Sequence, residues 1–230
     1  MRIGGFQKTS LLDYQGHISA IIWTVGCNFN CPFCYNPQLV NGNIENISEE
    51  EIFLFLKKRK GLLDGISISG GEPLLQNDID NFIKKAKDLD YLVKIDTNGT
   101  FPDKLEKLIY ENLVDYIAMD VKAPKDKYNK LTGVDVELSK IEKSVDIIRD
   151  KAVDYEFKTT FIPDLLTKDD VLKIAEWLKG SKKFYLQQFK VDTPLVSLDF
   201  QNLKPYPKKY LEETLDLIKQ YFEKCELRGA

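Results

Sequence analysis

Short β-rich runs alternate with amphipathic helical stretches along this chain, and that alternation restricts its fold more than any other property of the sequence. Candidate strands occupy 19–25, 65–69, 92–97, 116–120, 155–161 and 184–189. Helical patterns lie between them at 48–59, 77–88, 102–112, 139–150 and 168–178, and a final one spans 208–222, where Leu211, Leu215, Ile218 and Phe222 share a face. Ser48-Glu49-Glu50-Glu51 predicts a capping box at the first helix. Strands that are each followed by a helix imply a parallel sheet with right-handed crossovers. The apolar run Ala20-Ile21-Ile22-Trp23 suits a strand covered on both faces. A closed eight-unit barrel takes about 250 residues. The 230 residues here predict an α/β fold of six units, a partial (β/α)6 TIM-like barrel with parallel strands. One domain is expected over 1–230, with an N-terminal extension to about 18, a core to about 200 and a C-terminal helix over about 208–222.

Functional residues of such folds gather at the carboxyl ends of the strands. The first strand runs into Cys27, the second into Ser69-Gly70-Gly71-Glu72-Pro73 and the third into Asp96-Thr97-Asn98-Gly99. The fourth ends in Asp120 with Lys122 just beyond. Lys158 sits on the fifth, and the sixth reaches Gln187-Gln188-Phe189-Lys190. Two aspartates facing each other across strand ends repel unless a cation or a lysine sits between them, which singles out Asp96 and Asp120.

A net charge of −3 gives no support to nucleic-acid binding through bulk charge. The first residues carry no apolar signal region, and the apolar runs fall far short of the roughly 20 residues of a membrane span. A reducing cytoplasm is the expected setting, where clustered cysteines indicate metal or catalysis rather than disulfides. Cys225 stands alone and is read as a bystander on the last helix.

Cys27, Cys31 and Cys34 fall within eight residues. Iron–sulfur clusters are normally held by about four thiolates, so three would leave one iron open, as catalytic zinc sites keep one position open. A three-cysteine zinc site is the alternative, but the single histidine, His17, stands ten residues before Cys27. The spacing C-x3-C-x2-C, with Phe33 before the last cysteine, resembles the radical S-adenosylmethionine (SAM) superfamily. In Ser69-Gly70-Gly71-Glu72-Pro73 the glycines let the backbone approach a ligand and the Glu72 carboxylate can hold an ammonium, and the run is similar to that superfamily's motif for the methionine part of SAM. The resemblance implies that Cys27, Cys31 and Cys34 hold a [4Fe-4S] cluster whose open iron SAM chelates. One electron would then split SAM into methionine and a 5′-deoxyadenosyl radical.

Ile3-Gly4-Gly5-Phe6-Gln7-Lys8-Thr9-Ser10-Leu11-Leu12-Asp13-Tyr14 and Asp115–Pro124 are similar to anaerobic ribonucleoside-triphosphate reductase activating proteins. So are Lys158-Thr159-Thr160 and Leu186-Gln187-Gln188-Phe189. These proteins belong to the glycyl-radical-enzyme activases. That resemblance implies a glycyl radical enzyme as protein substrate and a donor such as flavodoxin or ferredoxin. It also implies Asp96, Thr97 and Asp120 as ligands of a monovalent cation and Lys122 facing the SAM carboxylate. Asn98, Lys158, Gln188 and Lys190 become further candidates for SAM or substrate contact. The chain departs from the family in carrying Tyr35 where members commonly have histidine, which leaves the cluster intact but bears on the partner. Two rivals stand beside the activase: radical chemistry on a small molecule or modified nucleobase of the deazapurine type, and an iron–sulfur protein without SAM cleavage.

Overall fold

The computed structural model describes residues 1–229. Its sheet runs in chain order through β1 (Ile3–Ser10), β2 (Ser19–Thr24), β3 (Gly65–Gly70), β4 (Leu92–Thr97), β5 (Tyr116–Asp120), β6 (Tyr155–Phe161), β7 (Lys183–Gln188) and β8 (Lys224–Arg228). β1 pairs antiparallel with β2, and every later neighbour pair is parallel. The crossovers carry α1 (Pro37–Asn41) and α2 (Glu49–Lys58), then α3 (Ile79–Lys87) and α4 (Pro102–Tyr110). After β5 come α5 (Tyr128–Thr132) and α6 (Leu138–Lys151), followed by α7 (Lys168–Trp177) and α8 (Lys208–Ile218). The sheet is an open barrel wall with β1 and β8 as its edges.

The period of two along each strand sorts side chains between two very different surroundings. Ile66 and Ile68, Val93 and Ile95, Phe157 and Phe161, and Phe184 and Leu186 are fully buried in the core shared with the helices. Their helical partners include Ile52 and Leu56 of α2, Phe82 and Ile83 of α3, and Val171 and Ile174 of α7. Among the alternate residues, which face the lumen, are Lys94 and Asp96, Asp120, Glu156 and Lys158, Gln187, and Arg228. Residues 11–18, between β1 and β2, cover the lumen floor. There Tyr14 packs on Tyr116 (ring centroids 5.7 Å apart) and His17 (4.6 Å), while Tyr185 Oη donates to Gln15 at 3.0 Å.

All six expected strands are present, each bound lying within one residue of its expected position. The edges differ from expectation. The N-terminal extension is strand β1, whose Gly4-Gly5 pair hides its strand character. A Cβ on Gly4 would come within 2.6 Å of Leu39, and one on Gly5 within 2.8 Å of Trp23, so this strand lies too close to its neighbours for side chains. The final helix ends at Ile218 rather than near 222. A turn then brings Phe222 onto Phe184 (4.8 Å, 10° between planes), and that stacked ring anchors β8. Cys225 therefore lies in β8 beside Phe184, not on a helix. At α2 the Ser48 hydroxyl accepts from Glu50 N–H, whereas the reciprocal capping box forms at α7 between Thr167 and Asp170.

β8 completes a buried ion pair. Arg228 donates to both oxygens of Glu156 (2.6 and 3.0 Å), and Tyr116 Oη donates to Glu156 Oε2 at 2.8 Å. Replacing Arg228 by alanine leaves the Glu156 carboxylate, 2% exposed, with the tyrosine as its partner. Breaking a buried pair on one side costs roughly 3–5 kcal/mol, reduced here because Arg228 is partly exposed. Arg228→Ala should lose roughly 2–3 kcal/mol in urea unfolding, and Arg228→Ala with Glu156→Gln should regain part of that loss.

Candidate active site

The loop that follows β2 is held on all sides by backbone hydrogen bonds. Gly26, with φ of +98°, donates to Leu39 O (2.8 Å), and Asn30 N–H donates to Thr132 O (2.9 Å). Val196 N–H donates to Cys34 O and Ser197 N–H to Pro32 O, so the segment after β7 straps the same loop. Within this frame Cys27, Cys31 and Cys34 line one cavity of about 220 Å³ at the carboxyl ends of the strands. Burial pushes the Cys27 thiol up to about 11 and the Cys31 thiol up to about 12. The Phe29 N–H, which donates to Cys27, and the nearby Lys122 ammonium pull the other way. Thiols so raised keep their protons until a metal displaces them. Among the described residues no three histidine, cysteine or carboxylate side chains converge on a single-ion position. Three thiols around one cavity fit a multi-iron cluster, in which each ligated iron takes its own thiolate.

Ser69, Gly70 and Gly71 line the same cavity beside the cysteine loop. The two glycines are also required by the backbone itself. Gly70 has φ of +112°, and a Cβ on Gly71 would sit 2.0 Å from Gly26 O. Gly71 N–H donates to Thr24 O and Glu72 N–H to Gly26 O, so the Gly-Gly run is laid against the start of the cysteine loop.

Glu72 does not reach the cavity. Its carboxylate is fully buried and accepts from Leu74 N–H (3.0 Å), Thr97 Oγ1 (2.8 Å) and Asn98 N–H (2.7 Å). Burial pushes its carboxyl up to about 7, against the pull of those donors. The role read from the sequence, a carboxylate for the SAM ammonium, is therefore not the one this geometry gives it. Pro73 is buried and opens the short helical turn behind Glu72.

Asp96, Thr97, Asn98, Asp120, Lys122 and Lys158 all line the cavity. Asn98 Nδ2 donates to Asn28 Oδ1 at 2.9 Å, tying the end of β4 to the cysteine loop. Lys158 Nζ stands 2.7 Å from Asp96 Oδ1 and 3.4 Å from Asp120 Oδ2. Lys94 binds Asp96 from below (3.1 Å), and Lys122 binds Asp120 from the cavity side (3.2 Å). Burial works against the ionised Asp96, but the Lys158 and Lys94 ammonium groups hold its carboxyl well below the usual range. Burial likewise works against charged Lys122, and Asp120 with the cysteines keeps it protonated.

Gln188 and Lys190 lie outside the cavity. Strand alternation turns Gln187 inward, with its Nε2 at 3.4 Å from Thr160 Oγ1, and turns Gln188 outward to donate to Tyr206 O. The sequence placed the cavity glutamine one residue late, and it did not single out Thr160. The period of two from Lys158 would have found Thr160. Lys190 meets the site through its backbone, whose N–H donates to Tyr35 Oη at 3.0 Å. Tyr35 stacks on Phe189 (6.4 Å) and lines both this cavity and an adjoining apolar groove of about 370 Å³, walled by Gly4, Gly5, Trp23, Pro37 and Pro194.

Three thiols, a glycine-rich strand end and a buried cationic row now share one cavity on an α/β parallel sheet. Residues 21–179 match the family described as the Radical SAM superfamily, and this chain belongs to it. It is an enzyme of that superfamily, whose members use a [4Fe-4S] cluster and SAM. A Methanocaldococcus jannaschii protein assigned by name to the glycyl-radical enzyme activating enzymes is 35% identical over 98% of this chain and 95% of its own length. A Methanococcus aeolicus protein named for GTP 3′,8-cyclase activity is 33% identical over 54% of this chain and 44% of its own length. The structure of Streptococcus suis SuiB bound to S-adenosylmethionine superposes with a TM-score of 0.70 at 17% identity, covering 91% of this chain and 50% of SuiB. It shares the fold.

Glutamine is the test of Glu72, since it keeps the shape but turns an N–H₂ toward an N–H or O–H donor. Glu72→Gln should lose roughly 2–3 kcal/mol in urea unfolding, whereas Thr97→Val should lose about 1 kcal/mol. Equal stability of Glu72→Gln and the parent chain would remove the carboxylate from its place in the loop.

Proposed function

We propose that this chain is a glycyl-radical-enzyme activase whose protein substrate is an anaerobic ribonucleoside-triphosphate reductase. The observation that carries this reading is the continuity of the cavity, through Tyr35 and Asn36, with the apolar groove along edge strand β1. A groove walled by Trp23, Leu39, Ile44 and two prolines suits an extended peptide with apolar side chains better than a free nucleotide. The near full-length similarity to the M. jannaschii protein supports the same class.

Cys27, Cys31 and Cys34 would hold the cluster, and Lys122 would meet the SAM carboxylate. Ser69, Gly70, Gly71 and Asn98 would flank the methionine part, and Gln187 with Thr160 would face the remainder of the ligand. When bound, cluster and SAM supply one-electron cleavage of SAM and abstraction of a hydrogen atom. The protein contributes placement and electrostatics: an alternating row of fixed charges on one side and an apolar wall on the other. A one-electron carrier such as flavodoxin or ferredoxin would supply the electron. No helix among the described residues is long and apolar enough to cross a membrane. A cytoplasmic enzyme is proposed.

The similarity to the M. aeolicus protein favours a second reading, radical chemistry on a nucleotide-sized molecule. Anaerobic incubation of the reduced chain with SAM and a candidate reductase separates the two. The activase reading expects a glycyl radical signal by spin resonance that needs both proteins. 5′-Deoxyadenosine formed only with a nucleotide, and no protein radical, would favour the second. In either case Cys31→Ala should abolish the cluster's visible absorption and SAM cleavage together. A variant that still cleaves SAM at the parent rate would show that Cys31 is not a ligand.

A further inference from the structure

Two part-buried carboxylates, Asp96 and Asp120, face each other across β4 and β5 at the cavity floor, and such a pair holds its charge only if a cation separates it. Here three ammonium groups contact the pair. Lys158 Nζ lies between them (2.7 and 3.4 Å), Lys94 covers the far side of Asp96 (3.1 and 3.2 Å), and Lys122 covers the near side of Asp120 (3.2 Å). Thr97, the third candidate ligand, has its hydroxyl turned away: it donates to Glu72 and accepts from Gly99 N–H at 3.1 Å. Three lysines alternate with two aspartates, so the row carries one net positive charge before any ion is added. An alkali ion would have to displace Lys158 from both carboxylates and lie against the remaining ammonium groups. The residues present therefore do not fit the monovalent-cation site that family resemblance suggests.

We propose that Lys158 is a built-in cation: its ammonium fills the position between Asp96 and Asp120 that an alkali metal ion would otherwise take, so SAM binds this cavity without sodium or potassium. Lys158 on this view is a positioning residue, which fixes Asp120 and through it Lys122. The part concerning SAM rests on the reading of this cavity as the SAM site; the part concerning the ion does not.

The test uses the cluster-loaded full chain without reductant, so that SAM binds and is not consumed. Melting temperature and SAM affinity are measured in lithium, sodium, potassium and tetramethylammonium chloride at one ionic strength. The parent chain should melt alike in all four, with dissociation constants within about twofold. Lys158→Ala opens an ammonium-sized space between two carboxylates. It should melt higher, saturably, with potassium or sodium but not with tetramethylammonium, and regain about tenfold in SAM affinity over the same range. Lys158→Ala with Asp96→Asn removes charge of both signs, and it should lose that ion-selective response.

A saturable alkali-ion requirement in the parent chain would overturn the proposal, whatever the variants do. So would a folded Lys158→Ala that ignores the identity of the cation, or a double variant that keeps the selective response. Failure of the parent chain to bind SAM in any salt would instead overturn the reading of the cavity, and the melting series would still decide the question of the ion.

Discussion

The Glu72 carboxylate is the tie on which the geometry of the cysteine loop depends. A buried carboxylate is costly unless its oxygens are hydrogen-bonded, and here three donors from two different segments reach it. Its own N–H donates to Gly26 O at the threshold of the cysteine loop, and Asn98, whose N–H it accepts, reaches across to Asn28. One side chain thus fixes the ends of β3 and β4 and the beginning of the loop after β2 relative to one another. The Gly70-Gly71 step permits this, because a methyl group at Gly71 would collide with the same Gly26 carbonyl. The thiols take their positions from this hydrogen-bonded frame.

Below that frame the lumen differs from the interior of a closed barrel, which bulky aliphatic residues fill in layers. Here the inward residues of β4, β5 and β6 form an alternating row of part-buried charges, and a second pair, Glu156 with Arg228, closes the side toward β8. Alternation satisfies each carboxylate twice and leaves an excess of one ammonium group, which the Lys122 position presents to the thiols. The arrangement is suited to anionic groups at its upper end, whether thiolates or a ligand carboxylate. It also makes the lumen stiff, since removing any one member strands a buried charge.

How much of this the sequence disclosed follows from the period of the strands. The six central strands stand out because their outward residues are aliphatic or aromatic, and each of them was placed to within one residue. β1 and β8 do not stand out. Glycines occupy the outward space of β1, and the five residues of β8 place Glu226 and Arg228 on alternate positions of a short charged run. The cysteines, Ser69, the two glycines, Asp96, Asn98, Asp120, Lys122 and Lys158 were brought together as strand-end residues should be. Glu72 and Gln188 were misread for one reason. Composition and spacing identify the loop that carries a residue, whereas burial and strand phase decide which way it points. Lys158 was legible as a lysine near the site, but its seat between two aspartates depends on the β5–β6 register that sets Asp120 beside Lys158.

Under the activase reading, the two surfaces that meet at Tyr35 divide the work of recognition. The charged lumen is narrow, floored by Tyr14 and Tyr116, and offers fixed charges of both signs to a zwitterionic ligand. The groove beside it is apolar and lies between edge strand β1 and the start of α1, whose Pro37, Gln38 and Leu39 form one of its walls. A peptide arriving there would lie against Trp23 and the glycine pair while its own glycine faced the cavity. Tyr35 stands at the junction, stacked on Phe189 and held by Lys190 N–H. An imidazole in its place would lack the reach of the phenol to that backbone group, so tyrosine couples the segment after β7 to both surfaces. The departure from the family's usual histidine thus changes what holds the rim of the site, at the point where a protein substrate would have to pass.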